Sequence, residues 1–549
     1  MGRFLNSIVP ARAFKMARRS PYFVDKTGII RELLPYVGTE NRFLCFSRPR
    51  RFGKTMMANM VAAYFGKAGE VAPLFDGLNV SKEPFYLLER SQYNLIYIDF
   101  SQIPKNCSSY QEYIDDIQTG IAADLAAAYP DLEIDMHKAV WVLLNEVLQK
   151  TGDSFIFVMD EWDAVFHMPF IQTGDKMSFL LFLKLLLKNQ AYVELAYMTG
   201  VLPIAKYSSG SELNVFLEYD MVTRAKFAGY FGFLEEEVDT LYAIYEKNTK
   251  KPAFTRKDLA DWYDGYQTVD GFRLYNPRSV VCALTDNQIG NYWTSSGPYD
   301  EIFYYIKNDI DHVKTDMALM ISGEAVPVEF QGDAVAEAEL NGKDLIFSAM
   351  VVYGLLTYKD GCVMIPNREL MKKFDQLLIT NEQMGYVHRL ARDSRRMLDA
   401  TLAGDTDTMA EILSYAHDTE SPILSYNHET ELSAVVNLVY LSARDRYRVE
   451  REDKAGLGFV DFIFYPDRMS DPAIILELKV DAAPEDAIRQ IKEKKYPLRF
   501  AGKLGEKPKY TGGVLAVGIS YSRTTKKHAC LVEELELRQP AIVLPRRAD

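Results

Sequence analysis

The stretch CFSRPRRFGKTMMANMVAAYF, Cys45 to Phe65, decides how the first half of the chain is read. It opens inside a short apolar run, RFLCFS (42–47), and closes in a segment of helical composition, with Gly53, Lys54 and Thr55 at the junction. Strand, glycine-bearing turn and helix in that order match the phosphate-loop pattern GxxxxGK[ST], except that Arg48 stands where the first glycine belongs. After Arg51 and Phe52, Gly53 lets the backbone approach phosphate oxygens; Lys54 reaches the β and γ oxygens, and Thr55 offers its hydroxyl to Mg²⁺. The helix N-terminus adds backbone donors and a positive dipole. Arg48, Arg50 and Arg51 can either bind phosphate or pair with acids such as Asp99.

Working outward, LIYIDFS (95–101), FIFVMD (155–160) and ELAYMTG (194–200) are further short runs rich in β-branched and aromatic residues. Helical patterns at 113–129 and 136–152 lie between LIYIDFS and FIFVMD, and alternation of this kind predicts a parallel α/β sheet over residues 1–205. FIFVMD ends in Asp160, and Glu161 follows it. After a phosphate loop, such a pair reads as the acid that holds Mg²⁺ and the neighbour that polarises an attacking water. Thr199, closing the next run, is a candidate γ-phosphate sensor.

Residues 206–420 read as a mostly helical lid or connector. Near its end, LIFSAMVVYGLLTYKDGCVMIPNREL (345–370) reads as a helix and a hairpin turning at Lys359, Asp360 and Gly361, which admits a winged-helix unit near 300–375. Residues 421–549 return to mixed α/β, with GFVDFIFYP, AIILELKV and GGVLAVGISY as strands. Asp461 begins the first of these. Glu477 and Lys479 share one face of the second, because side chains alternate along a strand. If the two strands form a hairpin, Asp461 converges on that face. Two carboxylates can then hold Mg²⁺ or Mn²⁺ through hard oxygen ligands, beside a lysine able to orient or deprotonate a water attacking a phosphodiester. Read alone, Glu-x-Lys also describes an ion pair on an exposed face. Gln490 lies on a helix starting after Pro484, and Glu429 and Glu431 open an upstream helix, where acids also suit the helix dipole.

Bulk properties bound these readings. The 549 residues are 48% hydrophobic and 25% charged, values of an ordinary globular protein, with no apolar run of membrane-spanning length. The first twenty residues lack the unbroken apolar core of a secretory leader. Five scattered cysteines without a CxxC pair argue against a zinc ribbon or disulfide framework and suit a reducing cytoplasm. At a net charge of −13, contact with nucleic acid must come from local basic patches, Arg42 to Lys54 or Arg489 to Lys527, each of which also reads as solvated surface. The histidines lack HExxH spacing. Ser208-Ser209-Gly210 has no strand–helix elbow beside it, and Trp162, Trp262 and Trp293 read as packing anchors.

Six motifs in order, YFVDKTGII (22–30), SRPRRFGKT (47–55), VMDEWD (158–163), YMTGVLPIAKY (197–207), WYDGY (262–266) and YNPRSV (275–280), resemble the bacterial AAA-ATPase-like family whose loop reads RPRRFGK[ST]. In that family, arginine in place of the first glycine is usual. Helix, strand with Asp, strand with Glu-x-Lys, then helix over residues 421–535 is similar to the core of the PD-(D/E)XK nuclease superfamily. Asp461, Glu477 and Lys479 fall on its triad, Glu429 on its upstream helix acid, and Gln490 on its polar helix position, with Tyr496 a weaker candidate. The two resemblances together imply a cytoplasmic protein that binds and hydrolyses ATP with Mg²⁺. They also imply a nuclease using Mg²⁺ or Mn²⁺ on DNA or RNA, and admit a homo-oligomer. The alternatives are a nucleotide-gated regulatory or nucleic-acid-binding module without cleavage, and an ATPase acting on protein partners.

Overall fold

The computed structural model describes residues 2–67, 69, 72–204, 213–224, 226–293, 306, 309–332, 342–418, 429–455, 458–468, 470–494 and 512–535. It divides into two compact units, Met1–Asn308 with Pro327–Leu370, and Asp309–Val326 with Met371–Asp549.

In the first unit, β1 (Phe43–Ser47), β2 (Asn94–Asp99), β3 (Phe155–Asp160), β4 (Val193–Gly200) and β5 (Leu217–Tyr219) form a sheet in the order β2-β3-β4-β1-β5. Every pairing is parallel. β1 and β3 are buried along their whole length, which is why they read as unbroken apolar runs: helices cover both faces of a parallel sheet. β1 continues into the phosphate loop and then into α1 (Lys54–Phe65). With β4 lying between β1 and β3, the register sets Thr199 beside Phe46 and Met159 beside Met198, so the C-terminal ends of the three strands meet at one edge. That edge is where open α/β sheets bind ligands.

Further along, the turn-rich segment after Asp264 folds as a short antiparallel pair, Tyr266–Gln267 with Arg273–Leu274. It leads to α2 (Pro277–Asp286). Asn276 caps this helix by accepting from Ser279 N at 3.1 Å, and Pro277 occupies its first position. The helix Lys343–Val352 and the hairpin Thr357–Lys359/Cys362–Met364 stand where the sequence places them, with Asp360 and Gly361 both at positive φ as a two-residue hairpin turn requires. The unit ends in the first turn of α3 (Arg368–Thr380).

The second unit is built on β6 (Tyr447–Ala455), β7 (Gly458–Pro466), β8 (Ala473–Val480), β9 (Val514–Ser522) and β10 (Lys527–Leu535), hydrogen-bonded in that order. All neighbours are antiparallel except β8 and β9, which are parallel. A parallel pair needs a crossover, and α5 (Pro484–Glu493) lies in it. α5 buries Ile488 and Ile491 against Ile463, Ile475 and Ala516. The opposite face of the sheet packs on the end of α4 (Glu429–Val439), where Tyr440 meets Phe464 at 5.3 Å between ring centres.

Candidate functional site

The first constellation surrounds the phosphate loop. Gly53 sits at φ +88° with no atom within 4 Å of where a Cβ would be, so its role is backbone freedom at the helix start rather than close packing. Arg51 is also left-handed, at φ +70°. Lys54 is buried, and its ammonium donates to the carbonyls of Arg48 at 2.9 Å and Pro49 at 3.0 Å. Burial lowers its pKa, opposed by Asp163 and Asp160. Phe52 is buried edge-on against Tyr266. A cavity of about 840 Å³ opens over this loop, lined by Arg50, Arg51, Phe52, Gly53, Lys54, Thr55, Glu161, Asp163 and Arg278 among others.

Arg48 departs from its expected place at the phosphates. It is 1% exposed and points into the fold, donating to the carbonyls of Ser47 at 2.8 Å and Tyr219 at 2.6 Å, with its guanidinium over the Phe231 ring. Burial brings its pKa down to about 10. The positive-φ positions of the loop are Arg51 and Gly53, so the first position needs no glycine. The arginine that replaces it braces the edge strand β5.

The acids at the end of β3 face the same region. Asp160 is 1% exposed; the hydroxyls of Thr199 and Thr55 both hydrogen-bond its carboxylate, while Oδ2 has no hydrogen-bond partner among the described residues. Burial raises its pKa against the pull of those hydroxyls. A buried carboxylate oxygen without a donor, beside the Thr55 hydroxyl, fits a divalent cation: hard oxygen ligands of this kind are what Mg²⁺ takes. Thr199 therefore orients Asp160. Glu161 is left-handed at φ +51°, lines the cavity, and has its pKa raised by burial and then by Asp160. Asp163 accepts Val201 N at 3.0 Å and Leu202 N at 2.9 Å, tying this acidic turn to the end of β4. A Cβ on Gly200 would fall 2.4 Å from Trp162 Nε1, so the turn closes only over glycine.

The second constellation lies on the mixed sheet. Asp461 is in the middle of β7 rather than at its start, and continuing the Phe462–Leu476 register by one residue places it across from Glu477. Its Oδ2 accepts Leu478 N at 2.7 Å. Glu477 is 3% exposed; its Oε1 accepts from Gln490 Nε2 on α5 and from Lys479 Nζ at 3.4 Å. Lys479 also donates to the Leu478 carbonyl at 2.9 Å. Glu477 Oε2 is buried with no hydrogen-bond partner among the described residues. Burial, and then the charge of Asp461, push the Glu477 pKa up to about 7. The unpartnered oxygen and the raised pKa mark a site lacking positive charge, which fits a divalent cation held by Glu477 and Asp461. Among the described residues, no cluster of three or more His, Cys, Asp or Glu could hold a metal, so these two carboxylates are the described contribution. Glu429 opens α4 as expected, but its side chain lies outside the described residues, as do His428, Tyr496, Ser208 to Gly210 and much of the Arg489–Lys527 basic stretch.

Arg278 and Asp163, both cavity-lining, were not singled out by the sequence. The available signal was their presence inside YNPRSV and VMDEWD, two motifs otherwise read as turn and acid pair.

A parallel sheet with its phosphate loop after β1 and its acid after β3 defines a P-loop NTPase-type fold, joined in one chain to a nuclease-like mixed sheet. Residues 12–209 match the family described as Predicted AAA-ATPase, and residues 430–522 match the PD-(D/E)XK nuclease superfamily. An uncharacterized protein in the vnfD 5′ region of Azotobacter chroococcum mcd 1 is 26% identical over 281 residues, 50% of this chain and 51% of that protein. The chain thus spans about half the length of the curated relative it matches. Among solved structures, a Walker-type ATPase of Pyrococcus abyssi aligns at TM-score 0.33 and 12% identity, over 66% of this chain and 94% of that one. The ORC2 protein of Aeropyrum pernix, in ADPNP–ADP complexes, aligns at TM-score 0.31 and 12% identity, over 67% and 92%. No described helix is long and apolar enough to cross a membrane.

Proposed function

We propose that the chain is a cytoplasmic ATP-binding and ATP-hydrolysing protein whose C-terminal domain cleaves phosphodiesters of DNA or RNA. In this reading residues 1–205 bind nucleotide, 206–420 connect and carry any winged helix, and 421–549 cut. The observation that carries it is the pair of buried carboxylate oxygens, Asp160 Oδ2 and Glu477 Oε2, that have no hydrogen-bond partner among the described residues, one beside each motif. A divalent cation at each site would supply charge neutralisation on phosphate oxygens and a more acidic water.

The chain's own residues do the rest. At the first site Lys54 would exchange the carbonyls of Arg48 and Pro49 for phosphate oxygens, Thr55 and Asp160 would hold the cation, and Glu161 would orient the attacking water. At the second, Lys479, hydrogen-bonded to Glu477, would stabilise the charge developing on a bound phosphate, while Gln490 holds the Glu477 carboxylate. A DNA or RNA partner and a homo-oligomeric state belong to the same proposal.

The test is cleavage of single- and double-stranded DNA and of RNA by the purified chain with Mg²⁺ or Mn²⁺. Loss of cutting in Lys479→Ala, with its fold intact, is the expected result. Equal cleavage by wild type and variant removes the nuclease assignment.

A further inference from the structure

Glu369 is a buried acid that neither constellation uses. It is 2% exposed, in the first turn of α3, and its carboxylate collects three donors from distant parts of the first unit. Oε1 accepts Tyr292 N at 2.5 Å and Trp293 N at 2.6 Å; Oε2 accepts Ser279 Oγ at 2.7 Å. Desolvating a carboxylate costs several kcal/mol unless hydrogen bonds replace the lost water, and three donors do so here.

Each donor leads to the phosphate-loop cavity. The Tyr292 carbonyl accepts from the Arg51 guanidinium at 2.7 Å. The Trp293 indole N–H donates to the Arg50 carbonyl at 3.1 Å. Ser279 follows Arg278 at the start of α2. Arg50, Arg51 and Arg278 all line the cavity beside Lys54. Arg278 opposes the charge on Arg51 while Glu369 supports it, so one buried acid offsets a crowd of cations that would otherwise repel. Arg51 also sits at φ +70°, a conformation costly for a residue with a side chain, and the Tyr292 carbonyl accepts from its far end.

We propose that Glu369 is a positioning residue of the nucleotide site: through Tyr292, Trp293 and Ser279 it fixes Arg50, Arg51 and Arg278 as a cationic wall that receives the triphosphate of a nucleotide. The proposal rests on the nucleotide-binding reading above. Guanidinium groups recognise phosphate by planar, directional donors, so their value depends on being held in place, and nothing about this wall concerns the base or sugar.

Titration calorimetry of the full chain with ATP and Mg²⁺, and separately with AMP, tests it. Glu369→Ala is expected to weaken ATP roughly tenfold or more, the equivalent of one lost charge-assisted hydrogen bond, while leaving AMP unchanged. Glu369→Gln, which keeps an acceptor for both backbone N–H groups, is expected to restore most of the ATP affinity. Trp293→Phe, which removes only the indole donor to Arg50, should give a smaller loss with the same preference for ATP, and it stands in if Glu369→Ala does not fold. If either truncating variant binds ATP as wild type does, or loses ATP and AMP equally, the clamp is refuted while nucleotide binding stands. If wild type binds ATP no better than Lys54→Ala, the nucleotide reading falls and takes the clamp with it.

Discussion

At the scale of single residues, Glu477 carries the most informative charge. Its pKa of about 7 lies above the ordinary 4.5, so between those values the folded chain holds a proton that the unfolded chain has released. Stability therefore falls as pH rises through this window, and the cost is fully present above about pH 7. Glu477→Gln removes that titration. In metal-free buffer at pH 8 the variant is expected to melt several degrees above wild type, and at pH 5 the gap should close, as followed by thermal unfolding. A gap that is the same at both pH values would refute the assignment of the strain to this carboxylate. Lys54→Ala should abolish ATP binding in titration calorimetry with little loss of stability, since among the described residues the ammonium's hydrogen bonds go to loop carbonyls. These residues were legible because their spacing is chemical: Gly53-Lys54-Thr55, Asp160-Glu161 and Glu477-x-Lys479 each name a job at a fixed interval. Glu369 was not legible. A single acid at the start of a helix has no pattern, and its partners at 279, 292 and 293 are brought to it only by the fold. Arg48 misled for the converse reason: the motif fixed its position in the loop, but not that its side chain turns inward to Tyr219.

At the scale of elements, the strands that carry the sites are those the sequence reveals. β1, β3, β4, β7 and β8 are apolar over most of their length because both faces are covered. The strands it conceals are edges. β6, YRVEREDKA, and β10, KHACLVEEL, are rich in charged residues that disfavour strands in isolation, yet each pairs along only one side, where charge also guards against aggregation. β5 is three residues long and gives no periodicity to read. The candidate cation site on the mixed sheet depends on how closely α5 approaches it, and that approach is set by Gly518 on β9, whose register partner is Glu477. A Cβ there would fall 2.4 Å from the Pro484 carbonyl, a backbone atom that cannot swing away. Gly518→Ala is expected to push the start of α5 outward, costing about 1–3 kcal/mol, with loss of the Gln490 hold on Glu477. Thermal unfolding reports the first effect, and a fall in cleavage with Mg²⁺ or Mn²⁺ larger than the stability loss explains reports the second.

At the scale of the whole molecule, the chain carries two compact units with separate apolar cores, one around the parallel sheet and one around Val460, Ile463, Ile475 and Ile488. Each core is built on the sheet that carries one candidate cation site. A ligand that binds only the folded form stabilises the unit it binds, by about 2.7 kcal/mol at a hundredfold excess over its Kd. Calorimetric unfolding should therefore resolve into transitions that respond to different additions. ATP with Mg²⁺ is expected to move the transition that Lys54→Ala makes insensitive to nucleotide, and Mn²⁺ without nucleotide to move the one that Glu477→Gln makes insensitive to metal. Because Mg²⁺ can serve either site, the nucleotide arm needs a nucleotide-free Mg²⁺ control to separate the two. A single transition moved equally by both additions would mean that the units unfold as one body, with nucleotide and nuclease metal acting on one equilibrium. In that case ATP should tighten Mn²⁺ binding by the same factor that Mn²⁺ tightens ATP binding, because coupling between two binding equilibria is reciprocal. Affinities unchanged in both directions would confine any coupling to the rate of cutting, where no such reciprocity is required.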